Sequence, residues 1–227
     1  MANPAPSPID WLRTYSRVAP VTALIVAVST GVWLVTAMQS KFSGNFYDSS
    51  WALASTLWGP WLSQGGTDLF RPLLTIFMHL DFGHLIINMF MLVLIGREVE
   101  RYLGSGLYAL AYITGGMGAS AAVVLMDFQA PTVGASGAIF SLMVLLVEIH
   151  RRAGLGMTAP LVLIAVNVGY SFLGSGVSLW GHLGGLITGG FLWFFLFRPN
   201  PSLRWGGCAA VLGASVVSTL LSAGLWG

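Results

Sequence analysis

The sequence predicts an all-α, polytopic membrane protein with seven bilayer-crossing helices, and three observations carry that prediction. The chain is 56% hydrophobic and only 8% charged, with a mean hydropathy of +0.79. A soluble domain carries roughly 25% charged residues, so this chain has too little polar surface to coat a globule. Apolar runs of span length, about 20 residues each, recur from one end to the other. Basic residues fall singly or in pairs between those runs rather than in a patch, and the formal charge of +2 gives no reason to expect nucleic acid. The single cysteine, Cys208, excludes an intrachain disulfide and supplies no metal motif.

Met1–Val18 is a polar, proline-containing tail with Arg13 and Arg17, too short for a domain. The first apolar run is Ala19–Met38. A signal peptide has an apolar region of about 7–15 residues followed by a small-x-small cleavage site. This run is longer and VTAMQS is a poor site, so it reads as a retained first span. Residues 39–72 are mostly uncharged and carry Trp51, Trp58, Trp61 and Phe70. Aromatic residues of this kind suit the membrane–water interface, which predicts a structured interfacial loop with short helices around Ser50–Ser63. Six more spans follow: Asp81–Arg101, Leu107–Met126, Val133–Ile149, Met157–Leu173, Trp180–Phe197 and Gly206–Leu225. The fourth and fifth of the seven are short, as expected where neighbouring helices rather than lipid surround a span. The domain division is a tail (1–18), a six-span core (19–197), and a loop with a seventh span (198–227).

Orientation follows from Lys and Arg, which concentrate in cytoplasmic loops. Arg13, Arg17, Arg97, Arg101, Arg151, Arg152, Arg198 and Arg204 fall on one side, and Lys41 and Arg71 on the other, accounting for all ten. The N-terminus is therefore expected in the cytoplasm and the C-terminus outside. No internal repeat is visible, and the paired intramembrane charges of a channel or transporter are absent from the sequence.

Ionisable groups inside a bilayer are costly and point to function by default. His84 and Asn88, spaced i,i+4, share one face of the second span, and His79 lies just before it. They are either interhelical hydrogen-bonding groups or donors aimed at one point, as an oxyanion site requires. The fourth span carries Ser136 among Gly134, Ala135, Gly137 and Ala138. A lone serine among small residues is usually a packing residue, and GASGA differs from the G-x-S-x-G motif of soluble hydrolases. The sixth span carries His182 beside Gly181, Gly185 and Gly189, whose four-residue repeat makes one smooth helix face. A helix bearing Gly134, Ser136 and Gly137 can approach that face closely. Serine needs a base to become a nucleophile, and imidazole suits that role. No intramembrane carboxylate is placed to orient His182, so a two-residue Ser–His arrangement is expected. No HExxH, cysteine pair or acidic cluster favours a metal, and no cofactor is implied.

Three elements thus occur in order: His84-x-x-x-Asn88, Gly134-x-Ser136-Gly137 and His182-x-x-Gly185. Together with Arg71, Met78, His79 and the VERYLGSG stretch at Val99–Gly106, they resemble the rhomboid family of intramembrane serine proteases over roughly Phe70–Phe197. The resemblance implies a rhomboid-like six-helix bundle, here of the six-plus-one type, around a cavity open to the outside. It implies Ser136 as nucleophile, His182 as general base, and His84, Asn88 and the Ser136 backbone N–H as oxyanion donors. It further implies Arg71 in a lipid-exposed first loop and Glu100 packing the cytoplasmic ends. The loop 173–179, with Gly174 and Gly176, would cap the site, and the fifth span would be the lateral gate for transmembrane substrates. Phe140 stands where bacterial relatives often have tyrosine; it can still stack against His182 but lacks the hydroxyl. Phe70-Arg71 replaces a familiar Trp-Arg, and the seventh span lies beyond the core. The alternative is a non-catalytic rhomboid-like protein that binds or escorts membrane proteins, which loss of the serine or histidine would mark. Both are present.

Overall fold

The computed structural model describes residues 7–173 and 176–226. Among the described residues the chain is helical throughout, with 3-10 turns in the loops and one isolated bridge between Leu57 and Thr132. The helices are α1 (Pro8–Val18), α2 (Pro20–Gln39), α3 (Ser50–Ser55), α4 (Gly59–Leu62), α5 (Arg71–Leu74), α6 (Phe82–Leu103), α7 (Ser105–Met126), α8 (Ser136–Ala153), α9 (Thr158–Leu173), α10 (Leu179–Leu196) and α11 (Pro201–Trp226). The seven longest after α1 follow the seven apolar runs. Their ends are set locally. Asp81 accepts the His84 backbone N–H at 2.9 Å and starts α6, while Ser178 accepts from Gly181 N at 3.1 Å and starts α10. Such oxygens satisfy N–H groups that the first turn of a helix leaves without partners.

The polar tail contains a helix that its composition does not announce. Ser7 and Asp10 form a reciprocal capping box with Pro8 at the first helical position, which suffices to start one. Tyr15 turns inward from α1, and its hydroxyl donates to Val93 O at 2.7 Å. Burial, with Glu100 nearby, pushes that phenol up to about 12.

Among the described residues, five helices are long and apolar enough to cross a membrane: α2, α6, α7, α10 and α11. The other two spans are α8, whose last turns carry Glu148, Arg151 and Arg152, and α9, of 16 residues. Protein does surround α8, where Ala138, Leu142 and Leu145 are completely buried. It does not surround α9, where only Pro160 and Ser171 are buried and Leu161, Val162, Val166 and Phe172 face outward. The short fifth span is therefore peripheral, contrary to the expectation that neighbouring helices enclose it.

Most of the basic residues gather at one end of the bundle. There His150 pairs with Glu98 at 3.0 Å, and Glu148 binds Arg151 and Arg152, each at 2.6 Å. Arg152 also donates to Phe197 O at 3.1 Å. At the same end Glu100 accepts from the backbone N–H groups of Val21 and Thr22, at 2.9 and 2.8 Å, and from the hydroxyls of Thr22 and Ser105, both at 2.7 Å. It caps α2, whose own N-cap, Ala19, has no side chain able to do so. Since α6, α8 and α10 run away from the opposite end, their N-termini all meet there.

Candidate active site

Ser136 opens α8 rather than lying inside it. The predicted span began at Val133, but Val133–Ala135 stays outside the helix. The interfacial loop explains the difference. Leu57 and Thr132 exchange backbone hydrogen bonds at 3.1 and 2.8 Å, Gly59 N donates to Phe128 O at 3.1 Å, and Gly134 N donates to Thr75 O at 3.0 Å. Trp58 Nε1 and the Thr75 hydroxyl add bonds to Gln129 O and Thr132 O at 3.0 and 2.7 Å. The strand-like segment before Ser136 is thus paired from the side and cannot continue as helix. Gly134 makes the turn at φ +135, a conformation glycine alone adopts readily. A Cβ there would also lie 2.9 Å from the His84 ring.

The seam between α8 and α10 is backbone on backbone. A Cβ at Gly185 would overlap the Gly137 carbonyl, and one at Gly189 would sit against the Ser141 backbone. This approach brings the His182 and Ser136 side chains together, with His182 Nε2 and Ser136 Oγ at 2.8 Å. Phe140, one turn into α8, stacks on the imidazole with centroids 4.1 Å apart and planes 19° apart. The expected stacking is present without a tyrosine.

His84 lies in the first turn of α6 and Asn88 one turn on. With Gly134, Ser136, Gly137, Phe140 and His182 they line a cavity of about 570 Å³. His84 Nδ1 faces the Leu80 backbone N–H at a long 3.5 Å, which favours the tautomer with the ring proton on Nε2. That nitrogen is on the side of Gly134. Asn88 spends one amide N–H on His84 O at 3.0 Å and keeps a second. His79 is outside the cavity lining. It is buried in the turn before α6, with its ring edge-on to His84 at 5.1 Å. Burial, with His84 beside it, pushes its pKa down to about 3, which favours the neutral ring.

Arg71 is outside the cavity lining and organises the interfacial loop. It pairs with Asp68 at 2.5 Å, donates to Thr56 O at 2.9 Å and to Leu53 O, and lies over the Trp61 ring at 4.5 Å. Its side chain is buried rather than exposed to lipid. Of the expected cap, Gly174 lies outside the described residues, whereas Gly176, Val177 and Ser178 line the cavity. Asn167, Tyr170 and Ser171 of α9 are at the site without having been expected there. The first two line the cavity, and the Ser171 hydroxyl lies 2.6 Å from His182 Nδ1. Three polar side chains within five residues of an apolar span are the signal that marks them, hidden because none is charged.

The fold and the site define a helical, multi-pass membrane protein with a paired hydroxyl and imidazole at one end of its bundle. A family model described as the rhomboid domain matches residues 66–199. The chain belongs to the rhomboid family. The rhomboid protease GluP of Bacillus subtilis is 36% identical over 136 residues, covering 57% of this chain and 26% of GluP. YdcA of the same organism is 30% identical over 199 residues, covering 85% of this chain and 96% of YdcA. RHOMBOID-like protein 6, mitochondrial, of Arabidopsis thaliana is 29% identical over 147 residues, covering 62% of this chain and 47% of that protein. The chain thus spans about a quarter of GluP, about half of the Arabidopsis protein and nearly all of YdcA.

Proposed function

We propose that the chain is an intramembrane serine endopeptidase that cleaves transmembrane segments of other membrane proteins. The observation that carries this reading is the 2.8 Å contact between Ser136 Oγ and His182 Nε2 at the wall of a cavity. A nucleophile and base within hydrogen-bond reach are the signature of an activated serine.

In the proposed reaction, Ser136 Oγ attacks the scissile carbonyl carbon as its proton passes to His182 Nε2. The carbonyl oxygen becomes an oxyanion. It would be met by the backbone N–H groups opening α8, which has no side-chain cap, by His84 Nε2–H and by the second amide N–H of Asn88. The positive ends of the α6, α8 and α10 dipoles favour the same charge. Collapse breaks the C–N bond, the amine leaves with the proton from His182, and an ester remains on Ser136. Water then gives its proton to His182 and attacks the ester. The new carboxyl group leaves as Ser136 recovers its proton. Phe140 holds the imidazole plane throughout.

The basic residues at the far end of the bundle support an N-terminus in the cytoplasm and a site opening to the outer face. Substrates would arrive through the bilayer, and α9, the least enclosed helix of the core, supports the reading of that side as their entry.

The test uses purified protein and a single-span substrate with a destabilised helix. Ser136→Ala is expected to lower cleavage by at least about 1,000-fold while the variant folds. Undiminished cleavage by that variant would remove the assignment.

A further inference from the structure

We infer that Ser171 is a positioning residue that sets which nitrogen of His182 carries the proton; the inference rests on the protease reading above. The argument is a proton count along a chain of three hydrogen bonds. Ser171 Oγ is 2.8 Å from Asn167 O, 2.6 Å from His182 Nδ1, and His182 Nε2 is 2.8 Å from Ser136 Oγ. Asn167 O is a carbonyl and can only accept, so the bond between them uses the single hydroxyl proton of Ser171. Ser171 Oγ must then accept from His182, which puts the ring proton on Nδ1. The lone pair of Nε2 is left facing Ser136, as a base requires. The opposite arrangement would have Ser171 donate to Nδ1. It would give up the Asn167 bond, place Nε2–H against Ser136 and leave no lone pair there to take the serine proton.

A ring nitrogen's partner commonly decides the tautomer of a catalytic histidine. No carboxylate serves that purpose here, and an uncharged hydroxyl from α9 takes its place. When His182 gains the second proton, Nδ1–H keeps its acceptor, so the same bond persists in the charged state. Ser171 is 5% exposed and His182 8%, so water has little access to replace the hydroxyl. The device has a structural consequence. Ser171 lies two residues before the end of the peripheral α9, so a shift of that helix would release the His182 proton to either nitrogen.

The experiment combines kinetics with 15N NMR of histidine-labelled protein in bicelles, the His182 signals being identified from a His182→Asn sample. The wild type is expected to show His182 protonated on Nδ1. Ser171→Ala is expected to populate both tautomers, to lower kcat about 10- to 100-fold, as expected for loss of a hydrogen bond to a group that becomes charged, and to leave KM unchanged. Labelling of Ser136 by a fluorophosphonate should slow in parallel. Ser171→Thr keeps a hydroxyl able to bond the carbonyl one turn back and should restore kcat to within about threefold. An unchanged tautomer and kcat in Ser171→Ala would overturn the inference, as would an Nε2-protonated His182 in the wild type. A wild type with the Nδ1 tautomer but neither labelling nor cleavage would overturn the protease reading and leave the inference standing.

Discussion

Helix α10 carries His182 between two neighbours held in different ways. On one side α8 meets it backbone to backbone, through Gly185 against Gly137 and Gly189 against Ser141. On the other side α9 reaches it with the Ser171 hydroxyl and turns most of its apolar surface outward. In lipid, apolar side chains gain little by leaving the bilayer for a protein neighbour, so helices are held by close packing and by polar contacts. The α8 seam uses packing, which tolerates no displacement. The α9 contact adds the Ser171 hydrogen bond to the packing of partly buried Leu163, Ile164 and Val168, and a hydrogen bond can break and re-form. One side of His182 is thus suited to fixing the nucleophile–base distance, and the other to moving.

The strongest way to break that contrast is at the seam. Gly185→Ala would drive a methyl group into the Gly137 carbonyl. A backbone atom cannot rotate away as a side chain can, so α10 must move. The expected cost is about 3 kcal/mol, the upper end for an overpacked site, together with loss of cleavage as His182 leaves Ser136. Thermal unfolding in detergent and a cleavage assay would measure both. A variant with wild-type melting and activity would show that the seam has slack.

Gly134 gives a smaller and more local effect, because it lies in a turn and not between helices. Gly134→Ala would bring a methyl group 2.9 Å from the His84 ring and force alanine to φ +135. His84 can swing aside, so the fold is expected to survive, with melting lowered by a few degrees. Cleavage should fall about 100-fold, the effect of losing one oxyanion donor. A fall in KM-dependent binding with kcat intact would instead assign the turn to substrate contact.

These two sites also show how much of the molecule its sequence discloses. The spans are legible because charge is scarce and its positions alternate. His182 stands out because an imidazole needs a partner in hydrocarbon, Ser136 stands out through its small-residue setting once that base is in view, and glycines at every fourth position of α10 mark where a neighbour comes close. The exact start of α8 is not legible. It depends on pairing between the interfacial loop and Thr132, and backbone hydrogen bonds leave no side-chain pattern. Ser171 is hidden for another reason: a serine in an apolar helix commonly bonds the carbonyl one turn back, so its presence costs little and draws no attention. The loose packing of α9 is equally invisible, since an apolar residue facing lipid and one facing protein look the same in sequence.

The smallest effect is expected on the outer face of α9. Val166 and Phe172 are 64% and 66% exposed, and shortening them exchanges protein–lipid contact for lipid–lipid contact. Val166→Ala and Phe172→Ala should each change stability by no more than about 0.5 kcal/mol, whereas Ser171→Ala on the inner face should slow turnover at least tenfold. The same helix would then be insensitive on one side and sensitive on the other. A loss of several degrees in melting temperature for either outer-face variant would mean that protein covers this face in the bilayer. In that case α9 would be held from outside as well as by Ser171, and the proposed freedom of this helix relative to α8 would be lost.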